Sequence, residues 1–182
     1  WLKKVDFLIV GGGIANTFIK AQGFEIGKSI VENDLIQVAT DLINLSVRGS
    51  GKICIPIDVI VAESPNKGIS QRQVNISDIS KNEMILDVGS KSSKIFEDLI
   101  MQAKTIIWNG PVGLFEINAF SSGTSSLARA VASSKGYSAI GGGDTVSAAN
   151  KFGVLHNINY ISTGGGAFLE YLQGMNLPAI IS

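Results

Sequence analysis

Four short stretches of this chain carry residue types suited to holding an anion, and each stands just after an apolar run. They are Gly11-Gly12-Gly13, Asn109-Gly110-Pro111-Val112-Gly113-Leu114-Phe115-Glu116, Gly141-Gly142-Gly143-Asp144-Thr145 and Ser162-Thr163-Gly164-Gly165-Gly166-Ala167. Glycine lets backbone N–H groups approach a ligand closely, and a helix that follows such a turn adds the positive end of its dipole. Phosphate is the ligand this chemistry favours. The third stretch also brings a carboxylate, and a bare Asp144 beside phosphate would repel it. A hard cation between them removes the conflict, since Mg2+ takes one carboxylate plus phosphate oxygens. Thr145 can then donate to a phosphate oxygen. The plainer reading of Asp144 is a helix cap, and the two roles are compatible.

The second stretch is a rigid loop, because Pro111 sits between glycines. Leu114 and Phe115 offer an apolar wall, and Glu116 an acceptor for ribose hydroxyls. A structural turn with Glu116 in solvent accounts for the same residues equally well. In the fourth stretch, a tight turn capped by Thr163 is the simpler reading taken alone. Its company with the other turns favours a further phosphate-facing helix N-terminus.

Other chemistries find little support. Cys54 and His156 are each the only residue of their type, so thiolate cages, imidazole-rich zinc sites and Ser–His or Cys–His relays are disfavoured. Gly23-Phe24-Glu25-Ile26-Gly27-Lys28-Ser29 resembles a P-loop, but three residues separate its glycines where the phosphate cradle needs four. It reads as a turn with Lys28 in solvent. Gly11-Gly12-Gly13-Ile14-Ala15-Asn16 approaches the dinucleotide fingerprint, with Asn16 where the third glycine belongs, so a redox cofactor ranks last. Glu83 and Glu170 read as surface carboxylates, and Trp108 and Phe115 as core.

These turns need a scaffold that brings them to one edge. Short apolar runs at residues 7–10, 84–88, 105–108, 137–140 and 159–162 read as strands, with 53–55 and 59–61 as two more. Helical periodicity lies between them: Leu35, Val38, Leu42 and Leu45 share a face, as do Ile95, Leu99 and Ala103, and Leu127, Ala130 and Val131. One helix is expected over residues 31–45. Gly136, Gly153 and Gly174 suit positions just past helix ends, and residues 62–78 read as a loop. The alternation predicts a three-layer α/β/α fold, doubly wound around a mostly parallel, Rossmann-like sheet. Ligands of such sheets bind at the carboxyl ends of the strands, so all four turns should line one rim.

Composition fits this scheme. The 182 residues suit one domain, residues 1–182, and 45% of them are hydrophobic. Charged residues are 16%, below the ~25% usual for soluble domains. Fifteen basic residues balance fifteen acidic ones, which argues against nucleic acid or an anionic membrane surface as partner. No apolar run reaches the ~18 residues of a membrane span. Residues 1–6 read as the tail of a helix whose earlier turns are missing, so the chain is expected to be a fragment. A cytoplasmic monomer is the expected context.

Residues 9–18 (Ile-Val-Gly-Gly-Gly-Ile-Ala-Asn-Thr-Phe), 108–116, 140–145 and 161–167 occur in an order that closely resembles the C-terminal, nucleotide-binding domain of the phosphoglycerate kinases. The ending Leu169-Glu170-Tyr171-Leu172-Gln173-Gly174 with Leu177-Pro178 fits as well. The likeness covers essentially the whole chain. It implies a domain that binds Mg-ATP or Mg-ADP, within an enzyme that moves a phosphoryl group reversibly between 1,3-bisphosphoglycerate and Mg-ADP. It implies that Gly12, Gly13, Ile30 and Leu86 contact adenine, with Leu114 on the other side of the base, and that Glu116 holds the ribose. It carries Asn109, with the loop glycines and proline Gly110, Pro111 and Gly113, toward the nucleotide. Gly142, Gly143 and Thr145 would bind phosphate oxygens, and Asp144 would reach Mg2+. Gly143, Gly165 and Gly166 would face the transferring group. The family's Gly-Gly-x-Lys-Val-x-x-Lys segment and its 3-phosphoglycerate-binding domain have no counterpart in these residues. The resemblance therefore implies binding without turnover for this chain alone. A non-catalytic nucleotide-binding module and a purely structural α/β domain are the alternatives.

Overall fold

The structure is a computed structural model that describes all residues except 1, 50, 67, 69, 163, 165, 166, 169, 171–173 and 175–182. The chain runs β1 (Phe7–Ile9), α1 (Gly12–Ala21), α2 (Ile36–Arg48), β2 (Lys52–Cys54), β3 (Asp58–Ala62), β4 (Arg72–Asn75), β5 (Met84–Val88), α3 (Ser90–Gln102), β6 (Thr105–Asn109), α4 (Ser122–Ser133), β7 (Tyr137–Gly141), α5 (Gly143–Lys151) and β8 (Tyr160–Ser162). Short 3-10 turns occupy Asn33–Leu35, Ile76–Asp78, Asn118–Phe120 and Leu155–Asn157.

β1 pairs parallel with β2, and β7 lies between β6 and β8, parallel to both. β3 pairs antiparallel with both β4 and β5. The expected α/β fold with parallel strand pairs is present, and the β4-β3-β5 sheet is the antiparallel part of it. Only residues 63–71 connect β3 to β4, too few for the crossover a parallel pair requires.

The layering follows from strand alternation. In β1, Leu8 packs toward α1 and α2, while its neighbour Ile9 packs toward the cluster of α3, α4 and α5. In β2, Ile53 and Cys54 divide in the same way. Successive side chains of a strand point to opposite faces, so helices cover both sides of this sheet. On one side Ala15 and Phe18 of α1 meet Ala39 of α2. On the other, Phe96 and Ile100 of α3 meet Leu127 and Val131 of α4, with Trp108 and Ile140 from the strands.

Three expectations need correction. The segment 62–78 is not only loop, because β4 and a 3-10 turn lie in it. Of β4 only Val74 is buried, so its other positions carry polar residues and hide the strand. The helix expected over 31–45 begins at Ile36 after the 3-10 turn, and ends at Arg48. Gly136 is not a left-handed helix stop; α4 ends at Ser133 with extended Ser134 after it. Its requirement is closeness, since a Cβ there would strike the Ala103 carbonyl. Gly153 does end α5 as expected. Its N–H donates to the Asn150 carbonyl at 3.0 Å, and that of Val154 to Ala149 at 2.9 Å, the paired bonds of a Schellman stop.

Candidate phosphate-binding rim

The first three turns meet at one edge. Gly12 donates its N–H to the Val112 carbonyl at 3.2 Å, which joins the first turn to the second. Gly110 donates its N–H to Thr145 Oγ1 at 2.7 Å, which joins the second to the third. Strand register then sets Gly141 opposite Ser162, so the fourth turn starts beside the third. Gly164 is described, and its carbonyl accepts the Phe168 N–H at 2.7 Å. Gly165, Gly166 and Thr163 lie outside the described residues.

Two helices open onto this edge. α1 begins at Gly12, and α5 begins at Gly143. Gly142 precedes α5 with φ +92° and ψ 143°, a conformation costly for any side chain. Asn109 packs its amide against Gly142, whereas a Cβ on Gly143 would meet open space. Gly143 is exposed at this helix start, near Asn109. The N-cap position of α5 belongs to Gly142, and Asp144 stands inside the first turn, exposed. The capping reading of Asp144 is thus corrected, because the cap position is taken by Gly142. Thr145 is 1% exposed and already accepts the Gly110 N–H, so its first task is to tie β6 to α5.

The second turn differs from the expected strand–turn–helix pattern. α4 starts only at Ser122, and its N–H groups are not open to a ligand. Gly123 donates its N–H to Asp87 Oδ2 at 2.8 Å, and Asp87 Oδ1 accepts from Val88 at 2.9 Å. A carboxylate of the chain itself fills that anion site. Gly113 must be glycine here, because a Cβ would collide with the Asp87 carboxylate. Burial pushes the Asp87 carboxyl up to about 7, against the pull of the Gly123, Val88 and Ser122 N–H groups.

The expected base-binding residues also come together. A Cβ on Gly13 would touch the Ile30 side chain at 4.0 Å. Leu114 donates its N–H to the Leu86 carbonyl at 2.8 Å, so these two expected adenine contacts are neighbours. Pro111 approaches Gly12 through its carbonyl. Glu116 is exposed at the end of the loop. Lys151, at the end of α5, donates Nζ to the Phe115 carbonyl at 2.6 Å, to Glu116 at 3.3 Å and to Asn118 Oδ1 at 3.2 Å. Nothing in the sequence signalled that tether, which is purely tertiary. Asp87 left a faint signal, a carboxylate inside the apolar run Met84-Ile85-Leu86-Asp87-Val88.

Elsewhere, Trp108 and Phe115 lie in the core as expected, and Lys28 is exposed. Glu83 is not a plain surface carboxylate. Its two oxygens accept Nε and Nη2 of Arg72, each at 2.7 Å, and that guanidinium holds its pKa down at about 2. Among the described residues no group of three or more His, Cys, Asp or Glu side chains forms a metal cage. No helix among them is long and apolar enough to cross a membrane.

A family model described as phosphoglycerate kinase matches residues 1–175. The phosphoglycerate kinase of Nitratidesulfovibrio vulgaris is 49% identical over 178 residues, covering 98% of this chain and 45% of that protein. That of Coxiella burnetii is 50% identical over 179 residues, at 98% and 46% coverage. The solved structure of the Coxiella burnetii enzyme superposes with a TM-score of 0.95 over 98% of this chain and 46% of that one. The Pyrococcus horikoshii phosphoglycerate kinase structure, 28% identical, gives 0.81 over 98% and 45%. The chain thus spans a little under half the length of these relatives. A match running through almost every residue, with relatives half identical in sequence, makes the conclusion direct: the chain belongs to the phosphoglycerate kinase family.

Proposed function

We propose that this chain is the Mg-nucleotide half of a phosphoglycerate kinase. The whole enzyme would transfer a phosphoryl group reversibly between 1,3-bisphosphoglycerate and Mg-ADP, giving 3-phosphoglycerate and Mg-ATP. The observation that carries this reading is the closure of three glycine turns onto one edge by two hydrogen bonds, Gly12 to Val112 and Gly110 to Thr145. That edge offers the start of α5, a helix N-terminus that suits a polyphosphate, beside the start of α1, which would face the base.

Residue roles complete the proposal. The base would lie against Gly12, Gly13, Ile30 and Leu86, with Leu114 on its other side. Glu116 accepts from the ribose hydroxyls. Asn109, Gly110, Gly142 and Gly143 approach the phosphates, with Pro111 and Gly113 keeping the loop rigid. Gly165 and Gly166 face the transferring group by family likeness. Phosphoryl transfer asks little covalent work of a protein, so these residues act by positioning and by meeting charge. Asp144 would hold Mg2+ through its exposed carboxylate, a hard oxygen donor of the kind that ion takes together with phosphate oxygens. When bound, that ion supplies charge neutralisation on the phosphates. The acid substrate would belong to the part of the relatives that this chain does not match. The chain by itself would then bind nucleotide without turning it over. A cytoplasmic, monomeric, glycolytic enzyme belongs to the same proposal.

Titration calorimetry of the chain with ADP, with and without Mg2+, tests this. Binding strengthened by Mg2+ is expected. Asp144→Ala should abolish the Mg2+ dependence while leaving metal-free binding unchanged. Absence of ADP binding under both conditions would falsify the assignment, and unaltered Mg2+ dependence in the variant would remove Asp144 from it.

A further inference from the structure

Ile30 is an anomaly of the proposed base wall. It leaves 77% of its surface in solvent, where an isoleucine gains nothing from hydrophobic burial. Yet the backbone on both sides of it is pinned. Lys28 donates its N–H to the Glu83 carbonyl at 2.7 Å, and Ile85 donates to Ser29 Oγ at 2.8 Å. Asn16 Nδ2 donates to the carbonyl of Ile30 itself at 3.0 Å. Two residues on, Glu32 donates its N–H to Thr17 Oγ1 at 3.2 Å, and the Thr17 hydroxyl donates to the Gly13 carbonyl at 3.5 Å.

Asn16 and Thr17 are 3% and 5% exposed. Asn16 Oδ1 is buried without a hydrogen-bond partner, an arrangement that costs stability. The single bond this side chain makes is the one to Ile30. Thr17 connects the Gly13 turn to the loop that carries Ile30. Two buried polar groups of α1 thus fix the backbone that carries an apolar side chain exposed to water, next to a glycine turn, with a Gly13 Cβ position only 4.0 Å from it.

We infer that Asn16 and Thr17 are positioning residues for the nucleobase. They hold Ile30 over the Gly13 turn as a preformed apolar jaw for a planar heteroaromatic ring, so its ordering is completed in folding and not charged against binding. The inference rests on the nucleotide reading above. It separates the base from the phosphates: the jaw governs affinity for the nucleoside end, while the turns at Asn109-Gly110 and Gly141-Gly142-Gly143 govern the anion.

Calorimetry with two probes, Mg-ADP and Mg-pyrophosphate, tests this on the chain and on Asn16→Leu, Thr17→Val, Thr17→Ser and Ile30→Ala. The two disruptive α1 variants and Ile30→Ala should weaken ADP about tenfold and leave pyrophosphate within twofold. Thr17→Ser, which keeps the hydroxyl, should retain ADP affinity. Amide hydrogen exchange at Glu32 should quicken in Thr17→Val and stay slow in Ile30→Ala. Equal losses for both probes would overturn the inference and leave a merely structural role. Unchanged ADP affinity despite faster exchange at Glu32 would also overturn it, with the nucleotide reading intact. Failure of the parent chain to bind either probe would overturn both. Ile30 is exposed, so its variant tests the jaw even if one α1 variant fails to fold, and the other α1 variant then tests the positioning role.

Discussion

The first free N–H groups of α4 meet a carboxylate that belongs to the chain, Asp87, and this decides that α4 offers nothing to a ligand. The cost appears as a titration. Burial raises the Asp87 pKa from an ordinary 3.8 to about 7, so the folded protein holds the proton more tightly than the unfolded chain. The resulting stabilisation is complete below about pH 4 and is lost as pH rises through 7, with roughly 4 kcal/mol at stake over the full range. Glu83 works in the opposite sense. Its pKa lies at about 2 beside Arg72, so its contribution is present above about pH 4.5 and lost as pH falls toward 2. Because Arg72 is 48% exposed, solvent screens that pair and it adds little to stability. Scanning calorimetry between pH 5 and 8 should therefore show the melting temperature falling with pH. In Asp87→Asn the fall should flatten, although the variant is less stable overall because an amide cannot accept at both oxygens. A slope as steep as that of the parent would remove Asp87 as its source.

The joint between β6 and α5 is the element-scale feature on which the rim depends. Thr145, buried in the first turn of α5, accepts the Gly110 N–H that follows β6. Thr145→Val keeps the shape and removes the acceptor, leaving a part-buried N–H unpaired at a cost of about 1–3 kcal/mol. Urea denaturation should show that loss, and Thr145→Ser should recover most of it. Equal stability of the valine and serine variants would mean that the bond does not hold the joint. This joint also marks how far the sequence could be read. The strand ends at Ile140-Gly141 and Trp108-Asn109-Gly110 were legible because an apolar run stops at a residue able to turn sharply. The rim itself was legible because each turn is contiguous in sequence. β4 was not, since Arg72, Gln73 and Asn75 face solvent and only Val74 is buried. Lys151 and Asn16 were illegible as parts of the site, and Asp87 nearly so, for one shared reason. Each acquires its role from a partner 14 to 36 residues away, and neither period nor composition reports such a pairing.

Across the whole molecule, the proposed ligand spans two apolar regions. The base side draws on α1 and the loop of Ile30, which pack with α2, β1 and β3. The phosphate side draws on β6, β7 and α5, which belong to the cluster of α3 and α4. A nucleotide bound along the rim would bridge these regions, whereas pyrophosphate would touch chiefly the second. Anything that binds only the folded state stabilises it by mass action, by about 2.7 kcal/mol at one hundred times Kd. For a domain of this size that corresponds to a rise of roughly 5–10 °C in melting temperature. Mg-ADP at saturating concentration should produce such a rise in a single transition. Mg-pyrophosphate, matched for occupancy, should give an equal rise if the molecule melts as one unit. A first transition left unmoved by pyrophosphate but raised by ADP would show that the two regions unfold separately and that the nucleotide joins them. No rise with Mg-ADP at millimolar concentration would leave a folded α/β domain without a nucleotide site.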